Sequence, residues 1–162
     1  MRFFLYTYKM SANFQISRRA GVFGAPYDAT GLPTKVRQLR RGDIIIIRDA
    51  THSELRFFGR CVVVGDVFDQ EKYSPFRDHL WEDEIEQERV IYPLRVAVDF
   101  KTAPELSLDS VTWEDLDRLG FTNAKGQPLT GRQAWGKKLS GNFVSVENEV
   151  APFSDLLGVG AA

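Results

Sequence analysis

Short runs of apolar and β-branched residues, separated by polar turns, recur over the first hundred residues and predict a set of strands. Phe3–Tyr8 is rich in aromatic and β-favouring residues, which predicts a buried first strand. Ile44–Ile47 is a continuous β-branched run, typical of a central strand that is buried on both faces. Leu55–Phe58 and Cys61–Val67 predict one or two further strands, with a bulge or sharp bend at Gly59.

Polar segments beside these strands predict short helices. Ser11 and Asn13 are alternative caps for a helix that ends at Gly21. A second helix is predicted to begin at Thr112 and to end at Gly120. Both are short enough to lie at the flanks of a sheet.

Residues 69–89 combine large aromatic side chains with an acidic cluster. They predict a long loop with a helical turn, and long ordered loops in compact domains are commonly functional. The acidic residues lack the spacing of a calcium loop, so they are expected to form a solvated face. Charge-neutral replacement of Glu84 and Glu86 is therefore expected to leave ligand binding unchanged or to strengthen it. Val90–Phe100 returns to strand, with Pro93 at an edge or at the strand start.

These elements add up to an α+β domain: a curled, mostly antiparallel β-sheet or small barrel flanked by short helices. The chain has 162 residues, the size of one ordinary domain. We expect residues 1–157 to form that single domain, with Ala151–Leu157 as its last helix and residues 158–162 as a tail.

Composition narrows the classes of function. Hydrophobic residues make up 43% and charged residues 27%, which excludes a disordered chain. The formal net charge of −1 excludes a polycation, so any nucleic-acid binding must come from a local patch. Cys61 is the single cysteine, which excludes a disulfide scaffold and indicates a reducing, cytoplasmic setting. No export signal and no membrane-spanning stretch is recognisable, so no membrane partner is expected.

The sequence carries no recognisable catalytic template. It lacks a Walker loop, a nucleophile elbow and a metal-binding pair of histidines on a helix. His52 and His79 fall in separate polar loops and are expected to be solvated. Cys61 adjoins an apolar run and is expected to be buried and inert. We therefore expect no enzymatic activity, no catalytic residue, no metal and no cofactor.

Aromatic residues in predicted connecting segments, together with clustered cations, point to nucleic acid. Phe23, Tyr73, Phe76 and Trp81 fall in or beside loops, where proteins that hold a single nucleobase place rings that stack on it. A cluster of cations is expected to form a phosphate-binding face with a steep salt dependence. Its members are Arg18, Arg19, Lys35, Arg37, Arg40 and Arg41.

Five short motifs follow one another over residues 1–100. They are the strand RFFLYTYKM with Ser11–Phe14, the turn GVFGAP, the Gly42-Asp43 pair before a strand, Phe58-Gly59 with the Tyr73–Trp81 loop, and YPLRV. This order resembles the EVE domains of the PUA-like superfamily, which are close relatives of YTH domains.

The resemblance implies a domain that binds nucleic acid by flipping a modified base into an aromatic pocket. By position, Phe23 and Trp81 match the walls of that pocket, although Phe23 stands where tryptophan is usual. Ser11 and Asn13 match the polar residues that read the base edge, and Tyr73 is assigned to the same pocket. Two structural alternatives stay open: Asn13 as a helix cap, and Trp81 as a cover of the barrel mouth.

The family further implies methylated DNA as the favoured partner, with RNA second. EVE-like domains also form the N-terminal specificity modules of modification-dependent restriction systems of the McrB type, where a GTPase motor domain or subunit follows. The chain is thus expected to be a stand-alone protein or an excised reader. Two other functions stay open: a PUA-like RNA-binding module in RNA modification, and a metal-dependent hydrolase that uses the acidic loop and His79. Arg95 is expected to be structural and to pair with the acidic loop.

Overall fold

A mixed β-sheet with short helices at its flanks makes up the fold. The computed structural model describes residues 2–26, 36–69, 79–139 and 144–145, together with residue 156. The strands are β1 (Phe3–Tyr8), β2 (Val22–Ala25), β3 (Ile44–Asp49), β4 (Phe57–Val63), β5 (Phe68–Asp69), β6 (Leu94–Asp99) and β7 (Val144–Ser145). The helices are α1 (Ser11–Ala20), α2 (Glu82–Gln87), α3 (Trp113–Asp117) and α4 (Gly131–Leu139). This arrangement confirms the predicted α+β class.

The order of strands shows how the chain crosses the sheet. Over the described residues the order is β2-β6-β4-β3-β1-β7, and β5 pairs with β6. β1 and β3 run parallel, from Phe3 opposite Ile44 to Tyr8 opposite Asp49, whereas the other pairs are antiparallel. Parallel neighbours need a crossover connection, and α1 and β2 belong to it. Because β2 pairs with β6 and not with β1 or β3, the crossover carries the chain to the far end of the sheet and back.

Both faces of the central strands are covered by apolar side chains, as the β-branched run predicted. Phe4 and Ile45 belong to one core, which also contains Phe14 of α1. Phe3 and Ile44 point to the opposite face, where the tryptophans of α3 and α4 complete a second core. Alternate residues of one strand therefore serve two cores, because side chains alternate between the faces of a sheet.

The predicted bulge at Gly59 is confirmed. The pairing register between β3 and β4 shifts at Ile47 and Arg48, opposite Gly59 and Phe57. Strand β4 runs through this irregularity as one element. A Cβ at Gly59 would lie 3.3 Å from the ring of Phe14, so the glycine also lets α1 pack closely on the sheet.

The helix ends are partly as predicted. Gly21 ends α1 in the left-handed conformation, with φ of 67°. The residue that caps the start of α1 is Met10, and no side chain caps it, so neither Ser11 nor Asn13 has that role. Thr112 caps α3 by accepting from the backbone N–H of Asp115. The predicted last helix lies outside the described residues apart from residue 156. No described helix is long and apolar enough to cross a membrane.

Candidate functional site

A cavity of about 370 Å³ lies where the end of β1 meets α1, β2 and the segment around α2. Its aromatic lining comes from Tyr6, Tyr8, Trp81 and Tyr92. Its charged lining residues are Lys9 and Asp83, and Asn13 adds an amide. A volume of this size falls in the range of about 300–1,000 Å³ that small-molecule sites occupy.

Asn13 is brought to the cavity because α1 starts directly after β1. It lies in the first turn of the helix and is 6% exposed. Its Nδ2 donates to Asp83 Oδ1 at 3.1 Å and to the sulfur of Met10 at 3.8 Å. Its Oδ1 is buried and has no hydrogen-bond partner among the described residues. Asn13 is thus a cavity residue with an unused acceptor. Ser11, by contrast, is exposed and is not among the lining residues.

Trp81 lines the cavity but is held on several sides. It is 1% exposed, and its indole N–H donates to Ser17 Oγ at 2.9 Å. The ring of Tyr92 meets it edge-on, with centroids 5.2 Å apart. A Cβ at Gly24 would lie 2.2 Å from its ring, so only glycine fits there. Trp81 therefore presents a small part of its surface to the cavity. It lies in a connecting segment directly before α2, as expected, but its ring is packed among protein side chains there.

The carboxylate of Glu84 holds this segment together from the inside. Glu84 is fully buried and accepts from the backbone N–H groups of Leu80, Trp81, Ile91 and Tyr92. The Arg95 guanidinium donates to the same carboxylate at 3.1 Å and lies over the Trp81 ring, 5.0 Å from its centroid. The prediction that Arg95 pairs with the acidic loop is confirmed. The prediction of a solvated acidic face is wrong for Glu84, because its oxygens replace water as acceptors for these donors.

Asp83 and Tyr92 form a second polar contact at the cavity. The Tyr92 hydroxyl donates to Asp83 Oδ2 at 2.5 Å. The pKa of Tyr92 is raised well above its ordinary value. Burial of the phenol is the largest cause, and its hydrogen bond to the Asp83 carboxylate is the next. Asp83 is therefore a half-buried residue of the cavity wall.

Two of the aromatic residues predicted for the pocket are not found in it: Phe23 lies in the core, and Tyr73 lies outside the described residues. Phe23 is fully buried in β2, and its ring contacts Tyr6 and Tyr8 with centroids 5.0 and 6.2 Å apart. Phe23 does not line the cavity. The expectation that it lies in a connecting segment is wrong, because it belongs to β2, which pairs with β6, and its side chain is in the core. Tyr73 lies outside the described residues, as does Phe76.

The predicted phosphate-binding cations are spread over two segments. Arg18 and Arg19 are exposed in the last turn of α1, roughly 8 Å along the helix axis from Asn13. Arg40 and Arg41 are also exposed. Arg37 makes an ion pair with Asp69 at 3.4 Å, which offsets part of its charge. Lys35 lies outside the described residues.

The sequence analysis did not predict a second basic cluster, which consists of Lys9, Arg48, Arg132 and Lys137. These residues line a cavity of about 500 Å³, and Lys9 also lines the first cavity. Arg48 is 8% exposed, and its buried Nε has no hydrogen-bond partner among the described residues. Burial lowers the pKa of its guanidinium, Asp49 opposes that shift, and Arg132 adds to it. The available signal in the sequence was an arginine directly after the β-branched run Ile44–Ile47.

The residues weighed for catalysis do not assemble into a catalytic group. Cys61 is buried, and burial raises the pKa of its thiol well above the ordinary value. His52 is 3.6 Å from Asp49 at the surface, and His79 lies in another segment. Over the described ranges, no group of three or more His, Cys, Asp or Glu side chains could hold a metal ion.

Comparison with known proteins shows the fold. No family model and no curated protein matches the sequence. The Pho92 YTH domain, solved in complex with m6A, is 14% identical over 86% of this chain and 84% of its own, with a TM-score of 0.50. A hypothetical protein from Leishmania major is 14% identical over 87% and 94%, with a TM-score of 0.46. Human THYN1, in complex with 5-methylcytosine containing DNA, is 12% identical over 62% and 66%, with a TM-score of 0.40. The chain therefore has a fold like that of a YTH domain.

Proposed function

We propose that this domain binds nucleic acid carrying a methylated base and that the base enters the cavity beside Asn13. The observation that carries the proposal is an aromatic-lined cavity of about 370 Å³ with a buried amide oxygen that lacks a partner. A flat ring can stack on aromatic side chains, while its edge supplies a hydrogen bond to a polar wall. The likeness in fold to a YTH domain solved with m6A supports the same class of ligand.

The energies involved are compatible with base flipping. Extruding a base costs a few kcal/mol, and stacking on an aromatic side chain returns about 1–3 kcal/mol per base. A buried methyl group adds about 0.8 kcal/mol or less. Discrimination by the methyl group alone is therefore modest, so affinity must also come from the phosphate backbone.

The basic cluster is a source of that backbone affinity, because it shares Lys9 with the cavity. A buried guanidinium nitrogen without a hydrogen-bond partner, such as Nε of Arg48, is costly and would gain from a phosphate oxygen beside it. Arg18 and Arg19, exposed in the last turn of α1, are further cations that can contact the phosphate backbone. Binding is then expected to weaken steeply as salt concentration rises.

The proposal extends to the kind of nucleic acid and to the biological setting. The resemblance to EVE domains favours methylated DNA over RNA and a role as the specificity domain of a modification-dependent restriction system, with a GTPase motor as partner. We propose binding and not catalysis as the activity, within the cytoplasm. An RNA-binding role in RNA modification is the outcome to expect if methylated RNA binds more tightly than methylated DNA of the same sequence.

The test is a panel of short DNAs and RNAs that differ only in one central base. Modified oligonucleotides are expected to bind more tightly than unmodified ones. Asn13→Ala removes one hydrogen bond and should weaken binding of the modified oligonucleotide about fivefold. Gln15→Ala is the matched control, because Gln15 is exposed on the same helix. Equal affinity for all oligonucleotides, or equal effects of the two variants, would contradict the proposal.

A further inference from the structure

Asn13, Asp83 and Tyr92 form the polar wall of the cavity. This wall offers free hydrogen-bond acceptors, whereas its hydrogen-bond donors are already bonded to other protein atoms. We infer that the base it accepts presents N–H donors and carries positive charge, as a guanine methylated at N7 does. This inference rests on the proposed function and names the class of base.

Each proton of the polar wall is already directed at another protein atom. The two N–H groups of the Asn13 amide face Asp83 Oδ1, 3.1 Å away, and the sulfur of Met10, 3.8 Å away. The single hydroxyl proton of Tyr92 goes to Asp83 Oδ2 at 2.5 Å. A carboxylate has no proton to offer. A base edge that needs a donor finds none on this wall.

The same wall retains acceptor capacity. Asn13 Oδ1 has no partner among the described residues. Asp83 Oδ1 accepts from Asn13 and from the backbone N–H of Glu84, whereas Oδ2 accepts from Tyr92 alone as far as the described residues go. An ionised carboxylate has about four lone-pair sites, so Oδ2 can take another donor. The Tyr92 oxygen, having donated its proton, also presents lone pairs.

The electrostatics of the cavity point the same way. Asp83 makes no ion pair within the part of the chain that is described, and the guanidinium of Arg95 is committed to Glu84 at 3.1 Å. Lys9, the other charged lining residue, is exposed to solvent. The half-buried carboxylate of Asp83 therefore gives this wall a negative charge that no ion pair among the described residues neutralises, and the neighbouring aromatic rings also attract cations through their faces.

Methylated bases differ in how well they suit such a wall. Guanine presents an N1–H and an exocyclic amino group on its pairing edge, and both can donate to a carboxylate. Methylation at N7 adds a positive charge to the ring. Adenine and cytosine place a ring nitrogen that accepts on the same edge, where it would face the lone pairs of Asp83 and Asn13. The wall thus favours 7-methylguanine over N6-methyladenine and 5-methylcytosine.

The experiment measures the affinity of the whole chain for five-nucleotide single strands, each made both as DNA and as RNA, with a central 7-methylguanine, guanine, N6-methyladenine, adenine, 5-methylcytosine or cytosine. In the type of nucleic acid that binds more tightly, the 7-methylguanine strand is expected to bind at least tenfold more tightly than any other, as a charge-assisted hydrogen bond provides. Tighter binding of the N6-methyladenine or 5-methylcytosine strand would overturn the inference and leave the proposed function standing. No preference for any modified base over its unmodified form would overturn both.

Two variants test the residues. Asp83→Asn removes the charge and adds a donor, so it should weaken binding of the 7-methylguanine strand by tenfold or more and leave that of the N6-methyladenine strand unchanged or tighter. Glu82→Gln removes a charge from an exposed neighbour on α2 and should change neither. Tyr92→Phe releases Asp83 Oδ2 and should keep or strengthen 7-methylguanine binding, which keeps the test decisive if Asp83→Asn does not fold. Equal effects of Asp83→Asn and Glu82→Gln, or a tenfold loss in Tyr92→Phe, would overturn the assignment.

Discussion

Replacing Glu84 with glutamine is expected to destabilise the segment that carries Trp81 and Tyr92 to the cavity. One carboxylate oxygen accepts from the backbone N–H groups of Leu80 and Trp81, at 2.9 and 3.4 Å. The other accepts from those of Ile91 and Tyr92, at 2.8 and 3.0 Å. An amide has one acceptor oxygen, so its NH₂ group would face two donors without an acceptor between them.

The size of the effect follows from what the substitution leaves behind. Arg95 is 3% exposed, and its ion pair with Glu84 is lost. Removing one partner of a buried ion pair costs about 3–5 kcal/mol, because the other charge stays buried and loses that partner. Unsatisfied backbone donors add to this, but relaxation of the segment offsets some of it. We therefore expect a loss of about 3–5 kcal/mol in the free energy of unfolding, against a total of about 5–15 kcal/mol.

Unfolding in urea, monitored by tryptophan fluorescence, measures this loss in the free energy of unfolding. Glu86→Gln is the matched control, since Glu86 is exposed on the same helix and its replacement should stay within about 0.5 kcal/mol. The double variant Glu84→Gln, Arg95→Gln should lose less than the sum of the two single variants, because neither charge is then left alone. A loss under about 1 kcal/mol in Glu84→Gln, or additive effects in the double variant, would refute the reasoning.

Other changes have equally definite outcomes. Gly24→Ala should cost about 1–3 kcal/mol of unfolding free energy, because its Cβ would lie 2.2 Å from the Trp81 ring. Gly136→Ala, with open space around it in α4, should instead stabilise by about 0.5–1 kcal/mol; both are measured by thermal or urea unfolding. Trp81→Ala should lower stability by about 3–5 kcal/mol as well as affinity, so a binding assay of that variant needs an unfolding curve beside it. Arg132→Gln should reduce the slope of log affinity against log salt by about one, and an unchanged slope would place the phosphate elsewhere.

The strands could be predicted from the sequence because their pattern of apolar residues matches their burial in the structure. Ile44–Ile47 is apolar at every position, and the structure buries it on both faces. The bulge at Gly59 and the capping role of Thr112 also follow from residue chemistry that acts over a few positions. The parallel pairing of β1 with β3 does not, since it depends on where a crossover connection places the chain.

The candidate site was only partly accessible for a related reason. Asn13 and Trp81 are among the predicted site residues that line the cavity, but Phe23 packs in the core although a glycine-rich turn was expected there. Glu84 sits among acidic residues that look alike in sequence, and its burial depends on Arg95, 11 residues away. No local pattern distinguishes one glutamate of such a run from its neighbours.

The ion pair of Glu84 and Arg95 has a role that stability alone does not account for. A buried ion pair gains little over apolar residues of similar volume, because desolvation offsets most of the attraction. Here the pair does something that apolar residues would not: its carboxylate accepts backbone N–H groups from both ends of the segment, and its guanidinium lies 5.0 Å from the Trp81 ring. It thereby fixes the position of Asp83, which lies between those ends, and of Tyr92, which belongs to one of them. The acceptor-only wall of the cavity is thus a consequence of a charge network that lies behind it.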